Sequence, residues 1–131
     1  MMLSKAEIVR FHGSDNYMTD EWILSMFPGY FDPCPFNPNW KEGVDLDGLK
    51  IAWQKYNFVN PPYSNPKPWV IKAIQENEKG NVVVMLLKHD SSTEWYRRLH
   101  EAGARFLMIN RRLQYQTGRS ANFPSMLAVL S

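Results

Sequence analysis

The feature of this sequence that most constrains its fold is an uninterrupted apolar run, Val-Val-Val-Met-Leu-Leu, at positions 82–87. A run that is this apolar and this rich in β-branched residues is typical of a strand with both of its faces buried. Such strands occur in sheets that helices cover on both sides. The run therefore predicts an α/β protein.

Candidate helices and strands alternate on both sides of this run. We predict strands over residues 55–59, 105–109 and 125–130, and helices over residues 69–78 and 94–102. Alternation of this kind gives a mostly parallel sheet. Only a loop separates the last two strands, so the sheet is expected to have an antiparallel edge. Since 131 residues are an ordinary size for one domain, residues 1–131 are predicted to form a single domain.

The segment before residue 55 is predicted to be mostly loop. Thr19 is expected to cap a short helix that Pro28-Gly29 ends, and Tyr30-Phe31 is expected to form a short strand. Residues 33–43 contain three prolines, two asparagines and a glycine, a composition that favours a loop.

The composition favours a folded protein without a membrane span. Apolar residues make up 44% of the chain and charged residues 21%, which is enough to build a core. No apolar stretch approaches the roughly 18 residues of a membrane span, and the first residues lack the apolar centre of a secretory signal. Cys34 is the only cysteine, so an internal disulfide is excluded and a cytoplasmic location is expected. The sequence has no spacing typical of metal ligands, so no metal site is expected.

Positive charge is concentrated in the last quarter of the chain. Residues 97–131 carry six arginines and one glutamate, whereas residues 1–96 carry nine basic and twelve acidic residues. This asymmetry is consistent with an anionic partner such as nucleic acid, but the charge distribution alone favours an ordinary solvated surface. The basic residues that would suit phosphate contacts on DNA are Lys88, Arg111, Arg112 and Arg119.

The tetrapeptide Asn60-Pro61-Pro62-Tyr63, called here the Asn-Pro-Pro-Tyr loop, directly follows the strand predicted over residues 55–59. Two successive prolines fix the backbone and remove two N–H donors, which leaves carbonyl oxygens available as acceptors. Two acceptors beside an aromatic ring suit a planar group with an exocyclic amine, such as adenine. A proline-stiffened turn with a half-buried tyrosine is the structural alternative, and the position after a strand favours the binding site.

Ligands of open α/β sheets bind beyond the carboxyl ends of the strands. The Asn-Pro-Pro-Tyr loop and the segment Lys88-His89-Asp90 both follow strands there, so they are predicted to share one crevice. Trp69 comes soon after the loop and is the tryptophan expected to line this pocket.

The loop resembles the catalytic motif of amino-methyltransferases that use S-adenosylmethionine. From about residue 16 to residue 130, the chain is similar to the small phage-type DNA N6-adenine methyltransferase (Dam-like) family. The matching segments follow in the family's order: Tyr17-Met18-Thr19, Phe31-Asp32-Pro33-Cys34, Asp47-Gly48-Leu49 with Trp53, residues 58–64 with Trp69, residues 83–87, Ser92-Thr93-Glu94-Trp95, Arg112-Leu113-Gln114-Tyr115 and Phe123-Pro124-Ser125.

The resemblance implies a minimal, abbreviated Rossmann-like methyltransferase sheet, with S-adenosylmethionine as the donor. The reaction implied is direct methyl transfer to N6 of a flipped-out adenine in DNA, in the bacterial host cytoplasm if the gene is phage-encoded. Within the loop, Asn60 and the Pro61 carbonyl would hold the amine. Pro62 would make the loop rigid, and Tyr63 would stack on the base. The cofactor-binding residues that the resemblance implies are Tyr17, Thr19, Asp32, Pro33, Cys34 and Asp47.

The chain departs from the wider superfamily in the cofactor half. No glycine follows Asp32 until Gly43, and only 28 positions separate Asp32 from Asn60. A βαβ crossover takes at least ~10–12 residues, so two strands are expected to be abbreviated or absent. This departure leaves two alternatives open: a degenerate module that binds DNA or a protein partner, and a homodimer that completes the cofactor site. A third alternative, the same chemistry on RNA adenine or a protein glutamine, also stays open.

Overall fold

The computed structural model describes residues 20–36, 39–110, 113 and 123–131. Its elements in chain order are α1 (Glu21–Leu24), β1 (Tyr56–Val59), α2 (Lys67–Glu78), β2 (Val82–Lys88), α3 (Glu94–Glu101), β3 (Arg105–Met108) and β4 (Ser125–Leu130). The predicted alternation from residue 55 onward is confirmed. No described helix is long and apolar enough to cross a bilayer.

The four strands form one open, mixed sheet in the order β1-β2-β4-β3. β1 and β2 are parallel, and β4 is antiparallel to both β2 and β3. The antiparallel pairing of the last two strands was predicted. However, β4 lies between β2 and β3, so two of the three ladders in the described sheet are antiparallel, although β1, β2 and β3 all run in the same direction. The described sheet is therefore mixed, and the prediction of a mostly parallel sheet holds for the directions of the strands but not for their pairing. The order of strands cannot be deduced from local patterning, which carries no information about neighbours.

Apolar side chains cover both faces of the sheet. On one face, Val70 and Ala73 of α2 and Leu99 of α3 pack against alternate residues of β2 and β4. On the other face, Ile23 of α1 packs with residues that include Phe58. The apolar run in β2 is buried from Val83 to Leu87, as its composition predicts.

The helix boundaries follow from their capping residues. α2 begins at Lys67, two residues earlier than predicted. The helix can include Pro68 because the residue lies in the first turn, where backbone N–H groups have no acceptor within the helix. α3 begins after Thr93, whose hydroxyl oxygen accepts a hydrogen bond from the Tyr96 N–H at 3.2 Å. α1 is capped by Asp20, whereas the predicted cap, Thr19, lies outside the described residues.

The described part of the chain before β1 joins the sheet at Phe31. Phe31 forms a parallel bridge with Asn57, through hydrogen bonds of 2.9 Å to Tyr56 and Phe58. Between this bridge and β1, the described residues contain turns and loops but neither a helix nor a strand. The two strands that were expected to be abbreviated or absent between Asp32 and Asn60 are therefore absent from the described residues of that interval.

Candidate active site

Four segments reach the carboxyl end of β1. The Asn-Pro-Pro-Tyr loop continues directly from Val59, and the Phe31 bridge sets Asp32-Pro33-Cys34, the Asp-Pro-Cys loop, to run in the same direction beside it. Lys88 ends the neighbouring strand β2 and pairs with Ser125 at the start of β4. The sheet therefore brings the Asn-Pro-Pro-Tyr loop, the Asp-Pro-Cys loop, Lys88 and the segment entering β4 to one edge, as predicted for the Asn-Pro-Pro-Tyr loop and Lys88.

The Asn-Pro-Pro-Tyr loop is graded in exposure. Asn60 is 7% exposed and Pro61 is buried, whereas Pro62 and Tyr63 are half-buried. The Pro62 carbonyl accepts a hydrogen bond from the Asn65 N–H at 3.2 Å, which closes a turn. The Pro61 carbonyl receives no such bond from the described residues. The loop is thus partly open to solvent, with a carbonyl acceptor near its buried end.

The Tyr63 ring is held by an aromatic neighbour from the far end of the chain. Its centroid lies 4.9 Å from that of Phe123, at an interplanar angle of 73°, an edge-to-face arrangement. The Lys88 ammonium lies over the Phe123 ring, 5.7 Å from its centroid. An ammonium, a phenyl ring and a phenol ring therefore follow one another at this edge.

The Asp-Pro-Cys loop carries a carboxyl group with unusual acidity. Burial raises the pKa of Asp32 to about 6, although its hydrogen bond from the Cys34 N–H, at 2.9 Å, acts in the opposite direction. Burial and the charge of Asp32 raise the pKa of the Cys34 thiol to about 12, so the thiol stays protonated and is a poor nucleophile. A cation placed beside Asp32 would favour its charged form.

Gly48 packs directly against the Asp-Pro-Cys loop. A Cβ at this position would lie 1.9 Å from the Pro33 carbonyl oxygen and 2.9 Å from the Trp69 ring, so only glycine fits there without displacement of the backbone. The Gly48 carbonyl accepts a hydrogen bond from the Trp53 indole N–H at 2.7 Å. Trp53 in turn stacks on Trp69, with 6.5 Å between ring centroids.

Two predicted site residues, Trp69 and Asp47, lie next to Gly48 in this packing. Trp69 belongs to the cluster on the α2 face, on the Gly48 side, whereas Tyr63 belongs to the cluster on the opposite face. Asp47, next to Gly48, uses its carboxylate to accept from the Leu49 N–H at 3.0 Å and lies 3.8 Å from the Lys50 ammonium. Asp47 is half-buried. The hydrogen bond that its carboxylate accepts from the Leu49 N–H closes a turn beside the Asp-Pro-Cys loop.

Five predicted site residues lie outside the described residues: Tyr17, Thr19, Arg111, Arg112 and Arg119. Within the described ranges, no group of three His, Cys, Asp or Glu side chains could hold a metal ion.

Two contacts at the site were not predicted from the sequence. The close approach of Gly48 to Pro33 joins two loops, and the contact of Phe123 with Tyr63 joins residues 60 positions apart. The glycine between Asp47 and Leu49 was the available clue to the first contact, but Asp-Gly is also an ordinary turn signal. The second depends on the insertion of β4 beside β2, which no local pattern reveals.

Comparison with known proteins gives a consistent result. The profile of the family described as DNA N-6-adenine-methyltransferase (Dam) matches residues 42–128. A DNA N-6-adenine-methyltransferase of Haemophilus phage HP1 (strain HP1c1) is 36% identical over 94 residues, which cover 63% of this chain and 54% of the relative. One of Escherichia phage T1 is 40% identical over 63 residues, which cover 47% of this chain and 26% of the relative.

The chain therefore spans about half the length of the first relative and about a quarter of the second. No solved structure matches the chain significantly.

Proposed function

The chain belongs to the DNA N-6-adenine-methyltransferase (Dam) family, and from this premise we propose that it methylates N6 of adenine in DNA, with S-adenosylmethionine as the methyl donor. The observation that carries the proposal is the position of the Asn-Pro-Pro-Tyr loop. It continues from the carboxyl end of β1, beside the Asp-Pro-Cys loop and within contact of an aromatic ring. Amine acceptors, a stacking ring and an acidic loop are thus gathered at one edge of the sheet.

The Asp-Pro-Cys loop suits the proposed donor. S-adenosylmethionine carries a sulfonium and an ammonium, and a buried carboxyl group is the chemistry that would accept a cation. The pKa of Asp32, raised to about 6 by burial, indicates that its charged form lacks compensation in the free protein. The cofactor-binding roles of Asp32, Pro33, Cys34 and Asp47, and those of Tyr17 and Thr19, stay part of this proposal.

The roles of the loop follow from the electronic structure of adenine. The lone pair of the N6 amine is delocalised into the purine ring, which makes the amine a poor nucleophile. Acceptance of both amine protons, by the Asn60 side-chain oxygen and the Pro61 carbonyl, favours the pyramidal amine, whose lone pair is available. Stacking on Tyr63 would hold the base outside the duplex.

The bound donor would supply a methyl group on a positively charged sulfur, a leaving group that departs as a neutral thioether. The Asn60 side-chain oxygen and the Pro61 carbonyl would orient the amine nitrogen toward that methyl carbon and would hold the amine protons until one of them passes to solvent. Lys88, beside Phe123, would contact a backbone phosphate.

The proposal also covers the fold and the domain. We take the mixed sheet for a minimal Rossmann-like methyltransferase sheet, because helices cover both of its faces and the loops proposed as catalytic follow strand ends. Residues 1–131 would form one domain, since α1 and the segment around Phe31 pack on the same sheet as the later elements. Resistance of the whole chain to limited proteolysis would test this.

Replacement of the loop asparagine tests the activity. We expect Asn60→Ala to abolish the incorporation of labelled methyl groups into DNA, because one of the two amine acceptors is lost, while the circular dichroism spectrum stays unchanged. Asn65→Ala is the matched control, since Asn65 is exposed and contributes its backbone N–H to the turn. Full incorporation by Asn60→Ala would contradict the assigned role.

A second candidate, a degenerate module that binds DNA without catalysis, is favoured by one specific observation. The described residues between Phe31 and β1 contain no strand or helix that could wall a cofactor. Calorimetric titration with S-adenosylmethionine separates the two candidates. Heat of binding supports the enzyme, whereas no heat at millimolar donor, with DNA binding intact, supports the module.

The identity of the acceptor is tested by a single comparison. DNA, RNA and glutamine-containing peptides are incubated with the chain and labelled donor, and the products are analysed by mass spectrometry. N6-methyladenine in the DNA sample alone is the expected result. If the label appeared only in RNA or only in the peptides, that acceptor would take the place of DNA as the proposed substrate.

A further inference from the structure

The Phe123-Pro124-Ser125 segment leads into β4 and has no part in the reaction proposed above. Its first residue nevertheless contacts the Asn-Pro-Pro-Tyr loop, since the Phe123 and Tyr63 rings lie edge to face with centroids 4.9 Å apart. In such a pair, the positive edge of one ring meets the negative face of the other, so the angle between the rings is energetically defined.

The segment around Phe123 is anchored on both sides. The Pro124 carbonyl accepts a hydrogen bond from the His89 N–H at 2.9 Å, and the Ser125 carbonyl accepts one from the Ile109 N–H at 3.1 Å. The Phe123 ring itself is 9% exposed and belongs to the apolar cluster on its face of the sheet. The strands β2, β3 and β4 therefore fix its position.

Tyr63, in contrast, lies on a loop beyond the end of β1 and is half-buried. Whichever ring contributes the edge, the T-shaped contact leaves at least one face of Tyr63 that Phe123 does not cover. A base that stacks on that face needs the ring held in one plane, because stacking depends on parallel rings 3–4 Å apart, on the order of van der Waals contact.

We propose that Phe123 is a positioning residue for base recognition: it holds the Tyr63 ring in the plane on which the extruded adenine stacks. This role rests on the proposed function. Lys88, whose ammonium lies 5.7 Å from the Phe123 ring centroid, places a positive charge on the same aromatic pair. The Phe-Pro-Ser segment thereby couples the end of β2 to the loop that holds the amine.

The test is a double-mutant cycle on the single-turnover rate of DNA methylation, with Tyr63→Leu, Phe123→Leu and both together. Phe123→Leu keeps an apolar side chain but removes the ring edge, so we expect the rate to fall between about twofold and tenfold. In the Tyr63→Leu background it should cause no further fall. Phe123→Tyr keeps the ring, so its rate should equal that of the wild type.

Two further readouts separate positioning from stability. The dissociation constant of S-adenosylmethionine should stay unchanged in Phe123→Leu. With 2-aminopurine at the target position of the DNA, emission from the complex should increase, since stacking on an aromatic ring quenches this fluorophore. Phe106→Leu is the matched control, because Phe106 stacks on Tyr96 with centroids 4.6 Å apart on the other face of the sheet. Its rate and emission should equal those of the wild type.

A full effect of Phe123→Leu in the Tyr63→Leu background, or an unchanged rate and emission in the wild-type background, would overturn the positioning role alone. A wild-type chain that does not methylate DNA would overturn the proposed function and this role with it. If Phe123→Leu fails to fold, Phe123→Met, which fills a similar volume with a flexible side chain, enters the same cycle in its place.

Discussion

At the scale of single residues, Asp32 shows how a candidate site lowers the stability of its own fold. Burial raises the pKa of this carboxyl group from 3.8 to about 6, so above that pH the folded chain holds an under-compensated charge. Between about pH 4 and pH 6, the folded state binds more protons than the unfolded state. This contribution therefore raises the stability as the pH falls through 6, and lowers it as the pH rises.

Asp32→Asn tests this balance. The amide can still accept the Cys34 N–H bond, but it carries no charge, so we expect the variant to be more stable than the wild type at pH 7.5 by about 1–3 kcal/mol. The gain should vanish near pH 4, and the affinity for S-adenosylmethionine should fall. Urea denaturation across this pH range and calorimetric titration measure the two effects.

A variant in the neighbouring loop provides the control for Asp32→Asn. Asp47→Asn should lose stability, because an amide accepts the Leu49 N–H less strongly than a carboxylate does. Equal stability of Asp32→Asn and the wild type at pH 7.5 would contradict the expected cost of the buried charge.

The sequence predicts the positions of residues well where those residues are contiguous with a predicted element, whereas the roles of Asn60 and Tyr63 stay predictions. Their position at the end of β1 could be predicted, because the Asn-Pro-Pro-Tyr loop directly follows the strand predicted over residues 55–59. The acidity of Asp32 could not, since it depends on how deeply the fold buries one carboxyl group. The contact of Gly48 with Pro33 and Trp69 depends on loops that meet only in the folded chain.

At the scale of elements, α2 is tied to the rest of the molecule through a buried carboxylate. Glu76 is 0% exposed and accepts hydrogen bonds from the Trp53 N–H at 3.2 Å and from Asn81 at 2.9 Å. Its carboxylate also lies 3.0 Å from the Lys72 ammonium and 3.2 Å from that of Lys79. Burial raises the pKa of Glu76, but these four donors outweigh it and lower the pKa to about 2.

Glu76→Gln should therefore destabilise the fold by about 3 kcal/mol at pH 7, because it leaves the mostly buried Lys72 ammonium without its counter-charge. Because the folded-state pKa is depressed below 4.5, the carboxylate's contribution is complete above pH 4.5 and is lost as the pH falls toward 2. The variant should lack this dependence. Urea denaturation at pH 7 and pH 3 measures both effects.

Glu78→Gln is the control on the same helix, since Glu78 is exposed, and its free energy of unfolding should stay within about 0.5 kcal/mol of the wild type. A loss in Glu76→Gln no larger than that of the control would refute the anchoring role. The spacing of Lys72, Glu76 and Lys79 is that of ordinary surface ion pairs. Glu76 is instead buried and hydrogen-bonded to the segment that holds Trp53, which sequence periodicity cannot anticipate.

The elements themselves were largely predictable. Apolar runs identified β2 and β4, and helical spacing with capping residues identified α2 and α3. The position of β4 between β2 and β3 was not predictable, because alternation specifies which segments are strands but not which strands become neighbours. Phe123 contacts Tyr63 because β4 lies beside β2. The contact was therefore not predicted, for the same reason that the strand order was not.

At the scale of the whole molecule, the distribution of charge bears on how DNA would be bound. Six arginines and one glutamate lie in residues 97–131, although the chain carries a net charge of only +2. β1, β2 and β3 end, and β4 begins, at the edge that gathers Lys88 and the Asn-Pro-Pro-Tyr loop, and residues 111–119 fall between β3 and β4 in the chain. An arginine that neutralises a phosphate releases a counterion, so its contribution is measurable as a salt dependence.

Arg111→Ala, Arg112→Ala and Arg119→Ala should each weaken DNA binding at low salt. Each should also reduce the slope of log affinity against log salt concentration by about 0.9, which is the change expected for the loss of the one phosphate contact predicted for each arginine. Arg97→Ala is the matched control, because Arg97 is exposed on α3 and lies 3.9 Å from Glu101. Its slope should equal that of the wild type. Fluorescence anisotropy of a labelled duplex over a salt series measures the slopes, and three slopes equal to that of Arg97→Ala would assign these arginines to an ordinary solvated surface.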